Sequence, residues 1–260
     1  MNPAVPRLTS VGNFRDFGGQ PTQDGRTVAL GRLFRSAHFN AVGPEDARTL
    51  DALGVQFMVD LRHPDERALK PNRWSPALTV ASDPRQTTAA VAAPATGEYA
   101  PAVGRSVMQS TYARIPLDPR FIALFGDFFR TLAERGGPVI IHCSLGKDRT
   151  GIACALLLDT LGVSRAAIFE DYLATNATID RIERSRLVRA ELEPLHGPLS
   201  DETIEQVIGV EASYLQSSFD AIERQSGSLA AYVEHALGIP PDTQEAVRAR
   251  LISEREGHRS

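Results

Sequence analysis

Cysteine is scarce in this 260-residue chain: Cys143 ends a strand-like run and Cys154 lies inside a helix-like run. Two residues so placed give no sign of a disulfide framework or of a Cys/His zinc cluster, so reduced thiols are expected. Excess positive charge is also missing. Against 28 Lys and Arg stand 32 Asp and Glu, a formal net charge of −4. That balance provides no broad positive field for a nucleic-acid backbone or an anionic bilayer, which excludes nucleic acid as an expected partner and confines any anion site to a local pocket. Long apolar runs are absent too. The longest, Ile152 to Leu158, is seven residues, against the roughly 20 that a membrane-spanning helix needs. Met1 to Val11 has no basic-then-apolar pattern of an export signal. The expectation is a cytoplasmic protein without stable membrane insertion, any export proceeding without a cleavable signal, and with an oligomeric state the sequence leaves open.

What is present is globular in composition, 42% apolar and 23% charged, with no boundary that splits the chain. The expectation is one domain over residues 1–260. Pro44 to Leu53 carries Pro in its first turn, Ala47, Leu50 and Leu53 on one face, and Gly54 as a stop, which predicts a short helix. Val55 to Leu61 follows as a buried strand. The same order recurs: Phe121, Leu124, Phe125, Phe128 and Leu132 repeat at helical spacing, Gly136 and Gly137 end the helix, and Pro138 to Ile141 reads as a buried strand. Thr150 to Leu161 is a mostly apolar helix. Strands alternating with helices predict an α/β fold with a parallel or mixed central sheet flanked by helices. Arg26 to Phe34 reads as an edge hairpin. Ala81 to Tyr112, with eight Ala, four Thr and three Pro, shows no sustained period and is expected to be a lid-like loop. From residue 164 to 254 the chain reads as helical: Ser164 to Asn176, Ile179 to Leu192, Thr203 to Arg224, Leu229 to Leu237 and Thr243 to Ile252.

Between the second strand and the apolar helix lies His142-Cys143-Ser144-Leu145-Gly146-Lys147-Asp148-Arg149-Thr150-Gly151. A thiol where a strand ends and a helix begins sits near unpaired backbone N–H groups and the positive end of the helix dipole, both of which favour thiolate. The same amides, curled into a nest, suit the oxygens of a phosphate. Arg149, six positions on, can return its planar fork to two of them. Gly146 allows close backbone approach, and Lys147 is read as either a point charge at the mouth or a salt-bridge partner of Asp148.

The His-Cys, five residues, Arg, Thr-Gly pattern resembles the signature of the cysteine-dependent protein tyrosine phosphatase superfamily. Gly-Lys-Asp-Arg within it is similar to the bacterial tyrosine and phosphoinositide phosphatase branch. The segments Val11–Gly19, Gly31–Ser36, Asp60-Leu61-Arg62 with Glu66, and Asp171–Asn176 resemble that branch as well. The resemblance implies a phosphatase-like fold and a phosphomonoester hydrolase without metal or cofactor. Cys143 would be the nucleophile, passing through a cysteinyl-phosphate, and Arg149 would bind the phosphoryl group. Residue chemistry supports the same roles: a thiolate divides one hard hydrolysis into two displacements, and fixed donors stabilise the spreading charge. Ser144, Leu145, Gly146, Lys147, Thr150 and Gly151 would surround the substrate, with Thr150 donating to sulfur and His142 fixing the loop backbone.

Two residues compete for general acid. Asp148 faces the bound dianion, which favours its protonated form, and the loop aspartate is the one implicated in the branch this sequence resembles. Asp118, 25 residues before Cys143, matches the upstream-loop arrangement of other superfamily members. Asp148 is favoured. Asp60, Arg62 and Glu66 are either polar strand-end residues or partners that orient Arg149 or Lys147. Arg15 and Asp16 are either a structural ion pair or rim contacts, Arg181 to Arg189 a solvated helix face, and Cys154 a core thiol. Expected substrates are phosphotyrosine proteins, with dual specificity or phosphoinositides as further targets. The alternative is a catalytically inactive phosphate-recognition module.

Overall fold

A computed structural model describes residues 8–81 and 101–253. Along the chain come β1 (Arg15–Asp16), β2 (Thr27–Val28), β3 (Leu33–Ser36), α1 (Pro44–Ala52), β4 (Phe57–Asp60), α2 (Pro64–Leu69) and β5 (Leu78–Ala81). After them follow α3 (Pro101–Arg114), α4 (Pro119–Arg135), β6 (Val139–His142), α5 (Asp148–Thr160), α6 (Arg165–Leu173) and α7 (Arg181–His196). The remainder is α8 (Asp201–Ile208), α9 (Ala212–Ser226), the single turn α10 (Leu229–Ala231) running into a π-helical turn (Tyr232–Ala236), α11 (Pro241–Leu251) and β7 (Ile252–Ser253). The five-stranded sheet has the order β1-β3-β6-β4-β5, with β1 antiparallel to β3 and the other pairs parallel, so the expected mixed α/β architecture is what forms.

Strands β3, β4 and β6 are buried throughout, as sequences with few polar positions require when both faces of a parallel sheet are covered. The pleat divides their side chains. Leu33, Phe57, Val59, Val139 and Ile141 join the larger core with α4, α5 and α9, while Phe34, Met58 and Ile140 pack on the other face with Val11, Phe39 and Leu50. Helix α4 forms because Asp118 caps it by accepting from Arg120 N, Pro119 fits its first turn, and its phenylalanines and leucines bury one side; Gly136 at φ 74° ends it. Helix α5 is apolar almost all round because the sheet, α6 and α9 enclose it. In register across the sheet, Ser36, His142 and Asp60 stand at the same level. The chain therefore leaves β3, β6 and β4 at one edge, the carboxyl edge where α/β sheets open a crevice. No helix among the described residues is long and apolar enough to cross a membrane.

Three expectations are corrected. Arg26 to Phe34 is not a hairpin: β2 pairs with β7 in a separate two-stranded sheet, and β3 lies inside the main sheet beside β6. The expected loop over residues 81–112 falls partly outside the described residues, at 82–100, but from Pro101 onward the chain is helix α3. That helix packs on α8 and α9 with Gly104 against Thr203 and Gln206 and Tyr112 against Tyr214, so its buried face mixes a glycine with large side chains and carries few aliphatic residues. The single helix expected from Thr203 to Arg224 is two helices. The Asn176 amide donates to Val210 O and accepts from Val210 N, holding the chain extended just after Gly209.

Candidate active site

Residues 143–147 bridge the end of β6 and the start of α5. Cys143 is 2% exposed, while Ser144, Leu145, Asp148 and Arg149 are half-buried. The outward carbonyls of this loop are each engaged from behind. Ser144 O accepts from His38 N at 3.4 Å. Asn13 Nδ2 donates to Leu145 O at 3.1 Å and to Gly146 O at 2.7 Å, and Arg35 adds a bond to Gly146 O at 3.0 Å. A trans peptide points its C=O and the next N–H in opposite directions, so drawing these carbonyls outward turns the N–H groups of Leu145, Gly146 and Lys147 toward the inside of the loop. Gly146 has φ 65°, and a Cβ there would sit 2.3 Å from Ser36 O, so both the turn and the close approach to β3 require glycine.

Arg149, in the first turn of α5, is held by Glu66 of α2 through a two-pronged pair, 2.6 Å to Oε2 and 2.9 Å to Oε1, and also donates to Leu61 O at 3.2 Å. Burial pushes the guanidinium down. Hydrogen bonding to Glu66 and the charges of Cys143, Glu66 and Asp148 outweigh that and hold it above its ordinary value. Burial pushes Glu66 up, but Arg149, the Ser144 hydroxyl and His63 N together keep it well below the usual carboxylate range. Glu66 thus orients Arg149, one of the two roles its sequence position allowed.

His142, fully buried, is pushed down to about 4, chiefly by burial. Its neutral ring contacts Cys143 O through Nδ1 at 3.1 Å, a bond that needs the proton on Nδ1, and leaves Nε2 to accept from Asn72 at 3.2 Å. Asp60 pairs with the buried Arg62, and both contact Asn72, the residue that donates to His142, so Asp60 and Arg62 reach His142 through Asn72 rather than orienting Arg149.

The remaining expected residues divide. Asp148 Oδ1 accepts from Tyr112 Oη at 2.7 Å and lies 3.5 Å from Lys147 Nζ. Lys147 is 3% exposed and donates to Val207 O and Gly209 O at the end of α8, so its charge does not stand at the mouth; the carbonyls of a helix C-terminus draw it there. The Thr150 hydroxyl has no hydrogen-bond partner among the described residues, so the bond to sulfur is not formed. Gly151 lets α6 approach, because a Cβ would be 3.0 Å from the Tyr172 ring. Asp118 caps α4 and pairs with Arg120. Cys154 is fully buried, and burial pushes its thiol up to about 12. Arg15 and Asp16 do not pair with each other: Arg15 reaches Asp171, and Asp16 accepts from the backbone of Gly18 and Gly31.

Sequence reasoning gave no role to Asn13, Arg35, Asp171, Asn72 or Tyr112, although the first three lie in segments it singled out by resemblance. Two of them carried a signal. Asn13 is the one non-glycine among the described residues with positive φ, 56°, a conformation asparagine tolerates. Arg35 is a charge in the middle of a buried strand, neutralised by Asp171 at 2.6 Å.

A family model described as the tyrosine phosphatase family matches residues 6–253. The chain belongs to the tyrosine phosphatase family. It is accordingly a phosphatase, an enzyme whose substrates carry phosphate. Among curated relatives, a protein of Cupriavidus necator named as a tyrosine-protein phosphatase is 32% identical over 234 residues, covering 88% of this chain and 83% of that one. The triple specificity protein phosphatase PtpB of Mycobacterium tuberculosis is 28% identical over 280 residues, covering 96% and 99%. The crystal structure of P. aeruginosa TpbA aligns with 57% of this chain and 71% of its own at 21% identity and a TM-score of 0.30. The fold class stands on the strand order and register instead.

Proposed function

We propose that this phosphatase works through a cysteinyl-phosphate on Cys143, with the phosphoryl group held by the inward N–H groups of the loop and by Arg149. The reading is supported above all by the outward anchoring of the carbonyls of Ser144, Leu145 and Gly146, which leaves a ring of donors around one thiol with a paired guanidinium beside it. Sulfur attacks phosphorus in line with the leaving oxygen, and the donors and Arg149 stabilise charge on the equatorial oxygens. Asp148 protonates the leaving oxygen and, in the second displacement, takes a proton from the attacking water. Asp118, committed to capping α4, has no part in the step. Residues 1–260 act as one phosphatase domain.

The proposed substrates are phosphotyrosine proteins, with dual specificity or phosphoinositides beyond them. Support comes from the family and from the name of the mycobacterial relative, which describes that protein. Phosphate release from p-nitrophenyl phosphate tests the mechanism: Cys143→Ser is expected to fold and to release none, and turnover at the original rate by that variant overturns it. Asp148→Asn should lose activity on an alkyl phosphate while Asp118→Asn keeps it; the reverse order exchanges the two carboxyls. Phosphotyrosine peptides, phosphoserine peptides and phosphoinositide vesicles compared by kcat/KM test the substrate class, and preference for phosphoserine overturns it.

A further inference from the structure

A carboxyl group that donates a proton must present one chosen oxygen to the leaving group. The two oxygens of Asp148 are not equivalent. Oδ1 accepts from Tyr112 Oη at 2.7 Å and faces Lys147 Nζ at 3.5 Å, whereas Oδ2 has no hydrogen-bond partner among the described residues. Tyr112 comes from α3 and is fully buried; Tyr172 comes from α6 and is 1% exposed. Their hydroxyls are 2.8 Å apart and their rings meet edge to face at 6.1 Å. Tyr112 donates its single proton to Oδ1 of Asp148, so the bond between the phenols is donated by Tyr172. The chain of donation runs one way, from Tyr172 to Tyr112 to Oδ1, and each bond polarises the next.

We propose that Tyr112, supported by Tyr172, is a positioning residue for proton transfer: it fixes Oδ1 as the accepting oxygen of Asp148 and so assigns the transferable proton to Oδ2. The proposal rests on the reading of Asp148 as the acid. In the first displacement the sulfur–phosphorus bond forms, the bond from phosphorus to the leaving oxygen breaks, and that oxygen takes the proton from Oδ2. The new carboxylate charge is met at Oδ1 by the Tyr112 hydroxyl, which keeps its own proton. In the second displacement water attacks phosphorus, its proton returns to Oδ2, and the thiolate is released. Burial keeps both phenols protonated by pushing them well above their ordinary value, consistent with their use as donors only. The same contact ties α3 to the first turn of α5, so the position of the acid depends on where α3 sits.

The test is the leaving-group dependence of kcat/KM, which reports phosphoenzyme formation. Phenyl phosphate needs a proton on its leaving oxygen, and 2,4-dinitrophenyl phosphate does not. Asp148→Asn should lose about 100-fold or more on phenyl phosphate and little on the dinitrophenyl ester. Tyr112→Phe, which keeps the ring and removes the hydroxyl, should lose roughly 10-fold on phenyl phosphate and stay within about 2-fold on the dinitrophenyl ester, with inhibition by inorganic phosphate unchanged. Tyr172→Phe should show a smaller loss in the same sense, and it decides the matter if Tyr112→Phe does not fold. Equal losses on both esters, or none on either, overturn the proposal. If Asp148→Asn itself fails to discriminate between the esters, the acid assignment falls first, and that outcome is visible without reference to the tyrosines.

Discussion

Replacing Gly146 by alanine asks whether the loop must touch β3 to work. Two costs are predicted. At φ 65° any residue with a Cβ is strained by about 1–2 kcal/mol. The new methyl would also lie 2.3 Å from Ser36 O, 2.4 Å from Ser36 C and 2.9 Å from Ala37 N, all backbone atoms, where real Cβ atoms essentially never come within 3.0 Å. Ser36 cannot retreat, because it is paired in register with His142 inside the sheet. The loop must therefore move outward by most of an ångström, loosening its anchors on Asn13 and Arg35. A misplacement of that size costs on the order of 100-fold in rate, while the strain removes roughly 1–3 kcal/mol of stability. Gly54 supplies the control: its φ is 63°, but a Cβ there meets nothing within 4 Å. Gly54→Ala should show the strain in urea unfolding and keep wild-type kcat/KM on p-nitrophenyl phosphate, whereas Gly146→Ala should lose both. Wild-type turnover by Gly146→Ala, or equal losses from the two variants, refutes the argument.

Three further outcomes are expected. His142 is held neutral with its value depressed to about 4, so the unfolded chain binds the extra proton first; its contribution to stability is complete above about pH 6.5 and is lost as pH falls toward 4, up to about 3 kcal/mol. Urea unfolding from pH 7.5 to 4.5 should therefore show a shallower acid slope in His142→Asn than in wild type, and identical slopes count against this. Asp171→Asn leaves Arg35 buried beside Gly146 O with no counter-ion and should cost about 3–5 kcal/mol, read as a drop in unfolding midpoint; a loss under about 1 kcal/mol contradicts a buried charge there. Cys154, buried and raised to about 12, should resist iodoacetamide at pH 7, and Cys154→Ala should keep wild-type kcat/KM; alkylation at Cys154 detected by peptide mass contradicts its placement.

Periodicity carried the fold where burial was one-sided or complete. Helix α4 and strands β4 and β6 were legible because phenylalanine, leucine and isoleucine fall at the spacings their faces demand. It failed where packing uses other means. Helix α3 meets its neighbours through Gly104, Met108 and the ring of Tyr112, a face whose glycine and tyrosine positions do not read as an aliphatic period. Strand β2 finds its partner in β7, 226 residues away for the pair Thr27 and Ser253, and no local pattern announces a pairing that distant. The break between α8 and α9 is made by the side chain of Asn176, remote from both.

The same distinction separates the legible half of the site from the hidden half. Thiol, glycine and arginine occupy one loop, so their spacing encodes the chemistry locally. The groups that aim the loop do not: Asn13 and Gly146 are 133 residues apart, and Arg35 and Asp171 are 136 apart. Nor did spacing reveal that Lys147 would turn from the mouth to the end of α8, since its acceptors lie about 60 residues on. A buried ion pair is weak evidence for stability, because removing two charges from water offsets much of their attraction. The pair of Arg35 and Asp171 is better understood through what else Arg35 does: it directs a donor at Gly146 O from a strand fixed in the sheet. With Asn13 bonding the same carbonyl, the peptide between Gly146 and Lys147 is held from behind by two donors, and its N–H has no freedom to turn outward. The direction of the donors inside the loop is thus set by side chains that the substrate does not need to touch.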